Sequence, residues 1–267
     1  MIDFIFYTDC LIPNTHTNNI IFHQCSYQEY SELVSKRLSI NYNTPQPYKL
    51  TDLKPFIGYI HQEELKEYDF WGFGDIDLVY GDLSKLINDE MLDKYDLITT
   101  HNYHIAGHFC ICRNNEYYRN ACFKIKNWKH IIEKEKPMSI DELNWTYIVC
   151  PYHKLIGRIN KYICKPFGIH YFTVLNTLHP IFHRKLYLKE CWTSPIPKAD
   201  EKWTYDINNN KVFDSHNREL PYLHFLFFKK TQWLKTDLYW KDKFYKISPN
   251  IKDYKFIYID TNSIIGI

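Results

Sequence analysis

The chain has 267 residues, 45% hydrophobic and 24% charged, the proportions of a globular protein with room for one large α/β domain or a domain with a smaller annex. Its 33 basic and 31 acidic residues leave a formal net charge of +2, which argues against a general nucleic-acid binder. The 8 cysteines contain no CxxC pair, and no apolar run approaches the ~20 residues of a bilayer span, so zinc knuckles, disulfide scaffolds and membrane-spanning anchors are all disfavoured.

In chain order, IDFIFYTD (residues 2–9) reads as a buried parallel strand ending in polar residues, and NIIFHQ (19–24) as a second. Ser26 is placed to cap a helix through Leu38, with Tyr30, Leu33, Val34 and Leu38 at helical spacing. After Pro45 and Pro47, the run KLTDLKPFIGYIHQEEL predicts a helix capped by Thr51 or Asp52, with Pro55 in its first turn. Strands follow at 68–72 and around Leu78, then short helices near 83–87 and 90–95. Gly81 and Asp82 fit a tight turn and the cap of the first of these.

DLITTH (96–101) and GHFCICR (107–113) read as strands, the latter with Cys110 and Cys112 on one face. Helical patterns occupy 116–123, 128–133 and 140–149. Beyond Cys150 the pattern becomes irregular. HYFTVL (170–175), KWTYDINNNKVFD (202–214) and LPYLHFLFFKK (220–230) predict short strands and hairpins, with a turn at Asn208–Asn210. The order implies an α/β half over residues 1–150 and an irregular α+β part over 151–267.

One stretch carries chemistry. FWGFGDIDLVYGD sets Asp75 and Asp77 one residue apart in apolar company, where carboxylates are costly unless a cation meets them. A D-x-D tripeptide alone is weak, but one at the carboxyl end of a strand stands where ligands bind in open α/β sheets. Asp77 would take a divalent ion directly while Asp75 meets a ribose or a metal-held water. Mg²⁺ and Mn²⁺ favour such oxygens together with substrate phosphates, as in transfer from a nucleotide-sugar. Capping a turn, or pairing with Lys49 or Lys54, is the competing reading.

PYKLTDLKPFIGYI (47–60), YDFWGFGDIDLVYGDL (68–83) and GHFCICRN (107–114) together resemble a family of bacterial glycosyltransferase-like proteins from capsule and lipopolysaccharide gene clusters. The likeness covers Ile2 to Glu142 and thins to YLHF (222–225). It implies a GT-A type, Rossmann-like open sheet and a nucleotide-diphosphate-sugar donor, UDP-linked in the leading reading. It also implies a Mn²⁺ or Mg²⁺ ion on Asp75 and Asp77. Members carry an extra strand and helix ahead of the segment matching IDFIFYTD, so this chain is expected to lack that first unit.

The resemblance gives other residues roles, each with a plainer rival. Tyr7, Thr8 and Asp9 would approach base or ribose, against a simple strand-end turn. Lys49, Asp52 and Lys54 surround a helix start that would attract the diphosphate. Trp71 would stack on a ring, although a core tryptophan is commoner. His108 would contact sugar or acceptor. Asp141 or Glu142 would take the acceptor hydroxyl's proton in an inverting hexosyl transfer, with Ser139 or Asp141 as a helix cap in the rival reading. His224 would be a third metal ligand, and Lys229 or Lys230 would reach the diphosphate.

The acceptor expected from the resemblance is a glycan or lipid-linked glycan. The enzyme is expected in the cytoplasm, with Trp233, Trp240, Lys241 and Lys243 against the inner leaflet. Two alternatives stand beside it: a metal-dependent phosphotransferase or phosphodiesterase, and a binding protein that keeps the donor site without turnover.

Overall fold

The computed structural model describes residues 2–14, 17–189, 202–225, 246–260 and 263–267. Lys229, Lys230, Trp233, Trp240, Lys241 and Lys243 lie outside the described residues. The fold is mixed α/β, and the described strands fall into several separate sheets with helices between them. No described helix is long and apolar enough to cross a membrane.

Local signals set the early elements. β1 (Phe4–Thr8) and β2 (Ile20–Gln24) pair in parallel, Phe4 opposite Ile20. α1 (Tyr27–Leu38) starts with a full capping box: the Ser26 side chain accepts from Glu29 N–H, and the Glu29 carboxylate accepts from Ser26 N–H.

The long helix expected after Pro47 is different. Pro47–Phe56 is a 3₁₀ helix, followed by the single turn α2 (Ile57–Ile60). Neither Thr51 nor Asp52 caps it: the Thr51 hydroxyl donates to the Tyr48 carbonyl, and Asp52 turns inward. A 3₁₀ helix eclipses residues i and i+3, so Lys49 and Asp52 line up and form a buried ion pair at 2.8 Å.

β3 (Phe70–Gly74) and β4 (Leu78–Tyr80) flank the Asp75–Asp77 turn. The Asp82 carboxylate caps the short helix Leu83–Lys85 by accepting from Ser84 N–H, as expected. Gly81 serves close packing, since a Cβ there would lie 2.8 Å from Val212 Cγ2. α3 (Asp89–Lys94), β5 (Leu97–Thr99) and β6 (Phe109–Arg113) follow. Cys110 and Cys112 do share a buried face, sulfurs 3.9 Å apart, and every described cysteine is a free thiol. Next come α4 (Glu116–Asn120), α5 (Trp128–Glu133) and α6 (Leu143–Val149).

After Cys150 the chain departs from expectation. HYFTVL is not a strand. α7 (His153–Ile159) runs through a π turn at Asn160–Cys164 and a 3₁₀ turn at Lys165–Phe167 to α8 (Tyr171–Phe182), which absorbs it. β propensity is a preference for a pleated, half-buried surface, and here packing of Val174 against Ile156 favours the helix. The remaining strands among the described residues are β7 (Leu186–Leu188), β8 (Trp203–Asp206), β9 (Lys211–Phe213), β10 (Glu219–Leu220), β11 (Tyr222–His224), β12 (Lys246–Ile247), β13 (Phe256–Ile259) and β14 (Ser263–Gly266). The β8–β9 hairpin turns at Asn208–Asn210 as predicted, with Asn210 at a φ of 51°.

Two compact units result, and they interleave along the chain. One comprises Met1–Trp71 with Arg113–Pro151, the other Gly72–Cys112 with Tyr152–Ile267. A division at 150/151 therefore captures only one of the crossings. Pairing of β4 with β11 and of β5 with β7 assigns residues 72–112 to the C-terminal part.

The first unit is built on aromatic contacts of Phe56 and Tyr59 with Phe123, and of Phe56 with Trp128. In the second, Trp203, Val212, Leu220, Leu223, Ile257 and Ile259 form one core cluster, with Val79 against it. Most of that cluster comes from the sheet ordered β10-β9-β8-β13-β14-β12. Leu223 and Val79 come instead from the antiparallel pair β11 and β4, where they stand opposite each other.

Candidate metal centre

Strand alternation builds the centre, which lies within the second unit. Leu223 and Val79 anchor β11 and β4 in the core, so Tyr222 and His224 share the other face of β11. His224 is paired in register with Leu78, the residue after Asp77, and Phe225 N–H donates to the Asp77 carbonyl at 2.9 Å. On the other side of the turn, Asp75 N–H donates to the His108 carbonyl on the segment entering β6 at 3.0 Å. The backbone thus grips both aspartates, which stand at the carboxyl end of β3 as expected, Asp75 directly after β3 and Asp77 directly before β4.

The side chains converge. His224 Nε2 stands 3.5 Å from Asp77 Oδ1 and 3.9 Å from Asp75 Oδ2. One ligand atom from each of the three residues lies within 4.8 Å of the others. The side chains are graded in exposure, 5% for His224, 15% for Asp77 and 30% for Asp75, so the cluster opens on the Asp75 side.

A layer of aromatic and hydroxyl groups stands behind it. His108 stacks on His224 with centroids 4.3 Å apart and meets the Tyr222 hydroxyl through Nε2 at 3.0 Å. The Tyr222 hydroxyl also meets Thr100 Oγ1. Burial, and then the charges of Asp75 and Asp77, push the Tyr80 phenol up to about 12, so it stays a neutral donor. Gly74 makes room for it: a Cβ there would lie 2.7 Å from the Tyr80 hydroxyl. Tyr80, Tyr222 and Thr100 were missed from the sequence. Tyr222 had a signal, its position two residues before His224 on the same strand face.

His108, expected at sugar or acceptor, is buried behind His224, a place from which it orients that ring. The first unit holds the other expected residues. Lys49 is 0% exposed, and its ammonium donates to Asp52 and to the carbonyls of Ile131 and Lys136. All three of its protons are used, so Lys49 is a structural cation and not a diphosphate ligand. Asp52 is likewise consumed, accepting also from Met138 and Ile140 N–H. Lys54 pairs with Asp141 at 3.4 Å. The lysines proposed as rival partners of Asp75 and Asp77 thus pair with Asp52 and Asp141.

Burial pushes the Asp141 carboxyl up to about 6, Lys54 pulling it down and Glu142 adding to the rise. Glu142 beside it is exposed. Tyr7 lies in an aromatic group with His23, Tyr30 and His61, its phenol pushed up to about 12 chiefly by burial. Thr8 makes the strand-end turn, its hydroxyl accepting from Cys10 N–H, and Asp9 is exposed. Trp71 is a core residue, its indole packed on Gly58.

Two carboxylate oxygens and an imidazole nitrogen are a donor set for a divalent cation. Oxygen ligands suit Mg²⁺, Mn²⁺ and Ca²⁺, and the imidazole shifts preference towards Mn²⁺.

A family model described as "Family of unknown function (DUF6625)" matches residues 1–255. The chain belongs to DUF6625. No curated protein and no solved structure matches this DUF6625 chain. The Asp75–Asp77–His224 centre lies wholly within the matched residues.

Proposed function

We propose that this DUF6625 chain is a metal-dependent glycosyltransferase of GT-A type that takes a nucleotide-diphosphate-sugar, UDP-linked in the leading case. The convergence of Asp75, Asp77 and His224 carries the reading. Asp75 and Asp77 with His224 would hold Mn²⁺ or Mg²⁺, and the bound ion would neutralise charge on a departing diphosphate. Tyr80 stays a neutral phenol near the carboxylates, while His108, held by the Tyr222 hydroxyl, stacks on the His224 ring and supports its orientation.

The resemblance of the 47–60, 68–83 and 107–114 segments supports the choice of sugar transfer over other diphosphate chemistry. In this reading Asp141 or Glu142 receives the acceptor hydroxyl's proton. A carboxyl with a pKa near 6 has the basicity for that at neutral pH. The acceptor would be a capsular or lipopolysaccharide glycan, and the enzyme would work in the cytoplasm.

Calorimetric titration of UDP into the chain tests the reading, with GDP as control, in Mn²⁺ and then in EDTA. Binding that requires Mn²⁺ and is lost in Asp77→Ala is the expected result. Nucleotide binding indifferent to EDTA, or retained by Asp77→Ala, would sink the donor-site assignment. Cleavage of the nucleotide's phosphate chain without sugar transfer would favour the phosphotransferase or phosphodiesterase reading.

A further inference from the structure

The α7–α8 hairpin is apolar on the wrong side. Its buried face carries Ile156 and Val174 together with three imidazoles, His153, His179 and His183. Its outer face carries Leu155, Tyr162, Ile163, Phe167, Ile169 and Ile181, all exposed, with Phe167 at 80% and Tyr162 at 67%. Clustered apolar exposure on this scale marks an interaction surface, since singly scattered residues would need no explanation.

Charge says which kind of surface it meets. No aspartate or glutamate occurs between Glu142 and Glu190. Over the same stretch Lys154, Arg158, Lys161 and Lys165 are all exposed, and Lys161 lies over the Tyr162 ring at 4.9 Å. Arg184 and Lys185, exposed just beyond α8, extend the cationic border. A protein partner would be met with mixed charge. A hairpin with no acidic residue of its own, bordered by cations around protruding aromatic and aliphatic side chains, suits an anionic phospholipid surface instead. There the cations meet headgroups, and Tyr162 and Phe167 enter the headgroup–acyl boundary.

We infer that the α7–α8 hairpin is a membrane-surface anchor, which seats the protein on anionic bilayers through Tyr162, Ile163 and Phe167, held by Lys154, Arg158, Lys161 and Lys165. The hairpin lies in the interface and does not span. The π turn at Asn160–Cys164 and the left-handed Gly168, φ 72°, turn the chain at its tip. This inference stands on the hairpin alone and is independent of the proposed sugar transfer.

Vesicle flotation of the full chain tests it, comparing phosphatidylglycerol-containing with pure phosphatidylcholine vesicles at ~0.1 M salt, where screening is moderate. The expected result is binding to the anionic vesicles alone, reduced about tenfold by paired Phe167→Ser and Tyr162→Ser changes. A separate Lys161→Glu and Lys165→Glu variant should lose about tenfold as well and lose its lipid preference. Both variants alter exposed side chains, and unchanged circular dichroism and melting confirm that they fold. No binding to anionic vesicles, equal binding to both lipids, or full binding by both variants overturns the inference. So does light scattering that shows a dimer dissolved by Phe167→Ser, which would assign the surface to a second copy of the chain.

Discussion

Asp77 and Lys49 illustrate two fates of a charge in apolar surroundings. Asp77 keeps an open side next to Asp75 and His224, whereas Lys49 is sealed with Asp52 and two carbonyls. Breaking a sealed pair leaves an uncompensated charge, so Lys49→Met should cost about 3–5 kcal/mol in urea unfolding. Nucleotide affinity should be unchanged wherever that variant remains folded. Asp141 has a different signature. Its pKa rises from 3.8 to about 6 on folding, so the folded chain holds the proton more tightly. The stability this confers is present below pH 3.8 and is lost as pH rises through about 6. Asp141→Asn should remove a decline of about 3 kcal/mol across that window, read from urea midpoints at a series of pH values.

At the scale of elements, the α7–α8 hairpin should be sensitive to acid in the opposite direction. Burial, with the neighbouring His183 and His153, lowers His179 to about 3, and burial and His153 lower His183 to about 4. Stability from these neutral rings is present above the unfolded value of 6.5 and is lost as pH falls towards 4. Amide exchange in 153–182 should therefore quicken below pH 6, and His179→Leu should blunt the effect. Glycines set other limits. Gly58→Ala would place a Cβ 2.3 Å from the Trp71 ring, and overpacking of this kind should cost about 1–3 kcal/mol in thermal unfolding. Capped helices such as α1 were legible because Ser26 and Glu29 are four residues' worth of local chemistry. The 3₁₀ segment at 47–56 and the helix over HYFTVL were not, because distant groups decide them: the backbone of Met138 and Ile140 for Asp52, and the packing of Ile156 for Val174.

For the whole molecule, a cation bound only by the folded state should raise its stability by RT ln(1 + [ion]/Kd), about 2.7 kcal/mol at a hundredfold excess over Kd. In a chain of this size the melting temperature should rise by about 5–8 °C in Mn²⁺, measured by calorimetry, with no rise in Asp77→Ala. Sequence alone determined the mixed α/β character, the cap at Ser26, the β8–β9 turn and the pairing of two aspartates at an apolar strand end. These rest on periodicity and short-range hydrogen bonding, which are written within a few neighbouring residues. Only the tertiary structure decided that His224 stands 3.5 Å from Asp77, that Lys49 is spent on Asp52, and that the two units interleave. Those outcomes depend on strand register across nearly 150 residues of chain, and registers are chosen by which side chains fill a shared core.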